Sequence, residues 1–211
     1  MAGINVFDSR KVALQDIDPS ASFTPVLALY TSESGVKLRG EHAAADDTQA
    51  DAVLDIVAEL AVAQSDADGE FADAMASDDP DARLVLAALC SQVRQLLERS
   101  QRGRLFRRLV SDIVNTEYKT FAVPELGIRW QRVTIRMHCN IHDDDFDADN
   151  GGLPEPMASL FNALPDDSYA KAKLAALAAH FSPEILPRLQ GIKVTTHGPI
   201  ESGPANLQPS P

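Results

Sequence analysis

Two histidines four positions apart, His138 and His142, are the first residues that could do chemistry. On a helix such an HxxxH pair sets two imidazoles side by side for a metal ion. Here they stand in the stretch 127–142, GIRWQRVTIRMHCNIH. In it Val133, Ile135, Met137, Cys139 and Ile141 alternate with Arg132, Thr134, Arg136, His138, Asn140 and His142. That period of two predicts a strand with one buried and one wet face. Four residues of strand span about 13 Å, too far for both rings to reach one ion at about 2 Å. Solvated strand histidines are the expectation, and no zinc site is assigned.

Asp145, Asp147 and Asp149 in DFDADNGG imitate the opening of a calcium loop, whose first, third and fifth positions supply oxygens. The imitation stops at Asn150, where such a loop needs glycine, and at Pro156, where it needs a bidentate glutamate. An acidic surface turn is the better reading. Cys90 and Cys139 each fall on an apolar face and lack a CxxC partner, so buried free thiols are expected. The chain contains no GxSxG nucleophile elbow, and Gly151-Gly152 stands without a P-loop lysine. No catalytic residue, cofactor or metal is assigned. An enzyme with a scattered active site stays as a lesser alternative, marked by a pocket of convergent His, Asp and Arg side chains.

The elements that must position these residues follow from periodicity. Residues 1–22 read as an extended arm, and 23–31 (FTPVLALYT) as a strand with Val26, Ala28 and Tyr30 opposite Leu27 and Leu29. Residues 40–51 read as a polar loop and 64–79 as an acidic loop with room for a short helix. The stretch 51–63, DAVLDIVAELAVA, fits two patterns. As a strand it places Leu54, Ile56, Ala58, Leu60 and Val62 opposite Asp55 and Glu59. As a helix it stripes Val53, Ile56, Val57 and Leu60. A helix is expected over 81–100, capped by Asp79 and opened by Pro80, with Val85, Leu86, Leu89, Cys90, Val93, Leu96 and Leu97 in one arc. Residues 113–121 look like the antiparallel partner of the 127–142 strand, with 124–127 as the turn. Beyond it, 156–164 and 168–181 read as helices, 183–189 as a turn, 192–195 as a short strand and 198–211 as a flexible tail.

The chain's 211 residues are 45% apolar, enough for a real core, and hold no apolar run near the roughly 20 residues of a membrane span. Residues 1–10 lack the pattern of a secretory signal, so a cytoplasmic protein is expected. A net charge of −12 disfavours direct binding to nucleic acid. The charge is uneven: Arg94, Arg99, Arg102, Arg104, Arg107 and Arg108 cluster in 94–108, and five aspartates lie in 143–149. Opposite-sign patches suit head-to-tail self-association in a ring. Two solvated surfaces are the plainer reading of the same charges.

Several phrases carry a family resemblance. VFDSRKVALQDI at 6–17 and TPVLALYTSES at 24–34 resemble the arm and first strand of the tail terminator (tail completion, minor tail protein) family of tailed phages. LDIVAELAVA at 54–63 is similar to that family's long central strand, which selects strand over helix for 51–63. Leu86, Leu89, Val93 and Leu97 match its helix, and 113–121 with 130–141 its closing strands. The likeness spans about two thirds of the chain, and the region from Pro156 onward has no counterpart in it.

The resemblance implies a structural virion protein, not an enzyme. It would form a ring, usually a hexamer, that caps the tail tube, ends its polymerisation and joins the tail to the head connector. The partners implied are other copies of the chain, the tail tube protein and the head–tail connector, in the virion tail and, during assembly, the host cytoplasm. The fold class expected is α+β: a small antiparallel sheet packed against one long amphipathic helix, with a C-terminal helical appendage. The expected divisions are 1–142 for the main domain, 143–197 for the acidic loop and appendage, and 198–211 for the tail. The subunit interface is expected at Arg104, Arg107 and Arg108 against Asp143, Asp144 and Asp145 of a neighbour. An acidic regulator or DNA mimic is the alternative, disfavoured because the acidic residues sit mostly between regular elements.

Overall fold

The computed structural model describes residues 5–42, 44, 48–76, 79–123, 128–147 and 151–181. Its spine is β3 (Thr48–Asp66), which takes the strand alternative of 51–63 and runs on through polar residues at both ends. β2 (Thr24–Leu38) pairs antiparallel along one side of β3, with a register shift between Thr31 and Glu33. On the other side β6 (Ile128–Ile141) and β4 (Gly69–Ala74) lie end to end, against Ala50–Glu59 and Ala61–Asp66 respectively. Gln131 N–H donates to Met75 O at 2.7 Å where the two meet. β1 (Asn5–Asp8) runs parallel to β2 at one margin, and β5 (Val110–Val123) closes the other beside β6.

These contents correct the expected fold class. The sheet has six strands and is mixed, because β1 is parallel to β2. It dominates the molecule, where a small antiparallel sheet against one long helix was expected. Among the described residues four helices accompany it: α1 (Pro80–Glu98), α2 (Phe106–Leu109), α3 (Met157–Ala163) and α4 (Tyr169–Ala178). The missed strands share a cause. β4 and the far end of β3 are acidic and alanine-rich, so composition reads them as loop. Yet Asp66 and Gly69 close a tight hairpin in which Asp68 N–H donates to Asp66 Oδ1 at 2.9 Å. Gly69 adopts φ +126°, which side-chain-bearing residues rarely do. β1 is too short for periodicity and is held by Phe7, buried against β2.

Each face of the sheet has its own cover. Leu54, Ile56, Ala58 and Leu60 of β3 join Leu27 and Leu29 of β2, Ile113 of β5 and Val133, Ile135, Met137 and Cys139 of β6. α1 lies on this face through Ala82, Leu86, Leu89, Cys90 and Val93. Each large aliphatic side chain so buried stabilises by about 1.5–3 kcal/mol. Asp79 caps the helix, accepting from Asp81 N–H at 2.9 Å ahead of Pro80. On the opposite face the arm folds back so that Phe7 and Val12 meet Val26, Ala28 and Ala61. The arm is fixed by an Arg10–Asp16 ion pair at 2.7 Å. Tyr30, Val57 and Ala72 flank that cluster, and beyond them the face carries the charged side chains of Asp55, Glu59, Arg132 and Arg136.

α3 and α4 are joined to the remainder by Arg108, which donates to Ser159 O at 3.2 Å, and by Tyr169 Oη, 3.0 Å from Asp8 Oδ2. The expected turn at 124–127, the turn at 183–189, the strand at 192–195 and the tail at 198–211 lie outside the described residues.

Candidate interaction surfaces

Antiparallel register sets the acidic residues of β3 opposite the arginines of β6 on the sheet's polar face. Arg136 donates from Nε to Asp55 Oδ1 at 2.8 Å and from Nη2 to Asp55 Oδ2 at 2.7 Å. Four positions along, Arg132 donates to Glu59 Oε2 at 2.6 Å and to Asp73 Oδ1 of β4 at 2.8 Å. Its guanidinium carbon lies 5.8 Å from the centre of the Phe121 ring. Asp55 and Glu59 are both buried.

The hydrogen bond from Arg136 holds the Asp55 carboxyl below its ordinary range. Burial opposes the charge of Arg132, and Glu59 and Asp73 more than offset it, so its pKa is raised. Two-bond Arg–carboxylate pairs fix direction as well as distance. This ladder was half visible in the sequence: both strands alternate, but only the register says which acid meets which base.

A groove open to solvent runs beside the ladder, walled by Lys11, Tyr30, Phe71, Phe121 and Arg132. A second depression lies lower on the same face, between Glu33, Lys37, Asp51, Val53 and His138. Their walls are mixed in polarity.

The residues singled out for chemistry separate. His138 projects on the polar face with Nε2 3.6 Å from Glu117 Oε1, whereas His142 is exposed just past the end of β6. Asp145 pairs backbone to backbone with Glu155, and Asp147 O accepts from Gly151 N–H at 3.0 Å. Asp149 lies outside the described residues. Among the described residues no group of three or more His, Cys, Asp or Glu side chains is placed to hold a metal ion. Cys90 and Cys139 are free and buried, and burial pushes both thiols up.

The segments carrying the arginines and aspartates expected to meet across subunits are tied together by the backbone within one chain. His142 N–H donates to Leu109 O at 2.9 Å, which brings Asp143 beside the segment carrying Arg107 and Arg108. Arg107 is turned inward to the end of α1, donating to Leu97 O at 2.6 Å and Ser100 O at 2.8 Å. Arg108 reaches Ser159, and Arg104 stands exposed. Asp143 accepts a hydrogen bond from Thr48. Burial, then the charge of Asp143, raises the Asp144 carboxyl. Asp145 is exposed.

Two sheet margins complete the surface. β5 is the terminal strand on its side, with Val114, Tyr118 and Phe121 exposed along it. Among the described residues β2 is covered by β1 only from Val26 to Leu29. Composition gives no sign of either margin; each depends on which strand ends the sheet. No family model matches the chain, and no curated protein or solved structure matches it.

Proposed function

We propose that this protein is a non-enzymatic assembly subunit, a tail terminator that caps a phage tail tube as a homo-oligomeric ring, ends tube polymerisation and presents a docking face to the head connector. The observation that carries this reading is the long β5 margin, whose outer edge pairs with no strand among the described residues and whose Val114 side chain is 64% exposed beside exposed Tyr118 and Phe121. Open strand edges template pairing with another chain, and exposed aromatic residues are typical anchors of protein interfaces. The ladder beneath this margin keeps the sheet's polar face in one geometry, as a wall built from repeated copies requires. Ring contacts of this kind are heterologous: β5 would meet a different patch on its neighbour.

Light scattering with electron microscopy of the purified protein is the test. Closed rings that bind the ends of isolated tail tubes are the expected result. A protein that forms no ring and leaves tube ends unbound overturns the reading.

A further inference from the structure

The other margin of the sheet points to a different contact. Past Leu29, where β1 stops and Ser9 turns away with φ 54°, β2 continues to Leu38 paired only with β3 among the described residues. Every residue from Thr31 to Leu38 is exposed, including Val36 at 59% and Leu38 at 51%. The free segment is bounded by the end of β1 on one side and the hairpin tip on the other. Gly35 lies at its middle.

The direction of its backbone groups follows from the ladder. Leu60 O accepts from Met75 N–H on the β4–β6 side of β3, and Leu29 O accepts from Ser9 N–H on the outer side of β2. Even-numbered residues of β3 therefore point toward β6, and odd-numbered ones toward β2. Through the register Glu33↔Val53, Gly35↔Asp51 and Lys37↔Gln49, the outward groups beyond the bulge belong to Ser34, Val36 and Leu38.

The geometry points to an isologous dimer in which two copies of β2 pair antiparallel about a twofold axis at Gly35. Ser34 and Val36 of each copy then exchange N–H···O bonds with Val36 and Ser34 of the other, the pattern that the outward groups allow. The same register sets Glu33 of each copy opposite Lys37 of the other, in a closely spaced pair on the polar face. Opposite charges so placed stabilise a pair of strands. Lys37 already leans on Asp51 at 3.1 Å and would bridge two carboxylates. Val36 would gain cover on the face it shares with Leu38. A strand carrying Glu and Lys symmetrically about a glycine, with hydrogen-bonding groups of matching parity, is complementary to itself.

This contact closes at two copies and does not propagate. It is independent of the ring of the preceding section; where both form, rings would join in pairs.

Three substitutions test it by sedimentation analysis of the full chain. Val36→Pro removes only an outward N–H, so β2 keeps its bonds to β3 while the dimer weakens by about tenfold, equivalent to one or two backbone hydrogen bonds. Glu33→Lys weakens it by like-charge opposition, and adding Lys37→Glu to the same chain restores it. Gly35→Cys, whose added Cβ comes no closer than 3.4 Å to Asp51 Oδ1, yields a covalent dimer on diamide oxidation. Directly opposed residues of this kind lie about 4.5 Å apart at Cα, within disulfide reach. Circular dichroism checks that each variant keeps its sheet. A wild-type protein that stays monomeric at high concentration overturns the proposal. So does an assembly whose mass ignores Val36→Pro and whose Gly35→Cys form does not cross-link. A ringless dimer would support this contact while removing the ring reading.

Discussion

Asp55 and Arg136 face each other across β3 and β6 through two nearly parallel N–H···O bonds of 2.8 and 2.7 Å, on the sheet face that α1 leaves uncovered. Both side chains are largely withdrawn from water, at 11% and 28% exposure. Removing one partner therefore leaves the other with only weaker neighbours, Ser32 and Lys119 for Asp55 and Glu33 and Glu117 for Arg136. Asp55→Asn should destabilise the fold by about 2 kcal/mol, and Arg136→Met by a similar amount. The double variant should recover part of the loss, because two apolar or neutral groups leave no orphaned ion. Urea denaturation of the four proteins measures the coupling.

The same pair sets an acid limit. The Asp55 carboxyl is lowered in the folded state, chiefly by the Arg136 hydrogen bond. The folded protein thus binds this proton less readily than the unfolded chain does. The stabilisation is complete above the unfolded carboxyl value of about 4 and is lost as pH falls through the lowered folded value. The stability gap between wild type and Asp55→Asn should hold steady from pH 7 to about 5 and narrow below about pH 4. Denaturation curves across that range check it; a gap unchanged at pH 2 would contradict this assignment.

Gly103 sits where the chain leaves α1. A Cβ built there would lie 2.2 Å from Leu96 O and 2.5 Å from Leu97 O, both backbone atoms that cannot swing aside. Gly103→Ala should lower stability by more than about 2 kcal/mol, although alanine favours regular backbone elsewhere. Thermal melting of this single variant is sufficient.

The arginines near α1 should part into two classes. Arg107 satisfies the Leu97 carbonyl in the last turn of the helix and the Ser100 carbonyl just past it, so Arg107→Ala should cost about 1 kcal/mol or more of stability. Arg104 is exposed, so Arg104→Glu should leave melting within about 0.5 kcal/mol of wild type. If arginine–aspartate contacts link ring subunits, Arg104→Glu nonetheless reduces the oligomer mass in light scattering. An unchanged mass would remove Arg104 from the interface.

Much of the fold was legible wherever burial alternates cleanly. The inward row of β6 falls where periodicity puts it, and Asp79-Pro80 marks the start of α1; the 51–63 stretch of β3 fits strand and helix alike, and periodicity alone does not choose. Legibility failed where strand identity rests on partners. β4 mixes Glu70 and Asp73 with alanines and an exposed Phe71 and shows no clean alternation, so only the Gly69 hairpin reveals it. β1 depends on a parallel neighbour that no local pattern announces. The surfaces were harder still. Arg104, Arg107 and Arg108 look alike in sequence, yet among the described residues one stands exposed, one donates to Leu97 and Ser100 and one reaches Ser159, differences that only three-dimensional placement reveals. The open margins at β2 and β5 are properties of strand order, which composition does not encode.

The central position of β3 also governs how the molecule must be made. Its partner β2 precedes it in the chain, but its partner β6 arrives late: Gln49 and Asn140, joined at 2.8 Å, are 91 residues apart. At ordinary elongation speeds the ribosome needs about 5–20 s to span that interval. Through all of it the nascent hairpin holds an apolar row of Ile56, Ala58 and Leu60 without β6 in place, and through the first part without α1 either. Such long-range pairing slows folding and leaves a sticky intermediate. Soluble yield should therefore depend more on growth temperature and chaperone supply than on the stability of the finished protein.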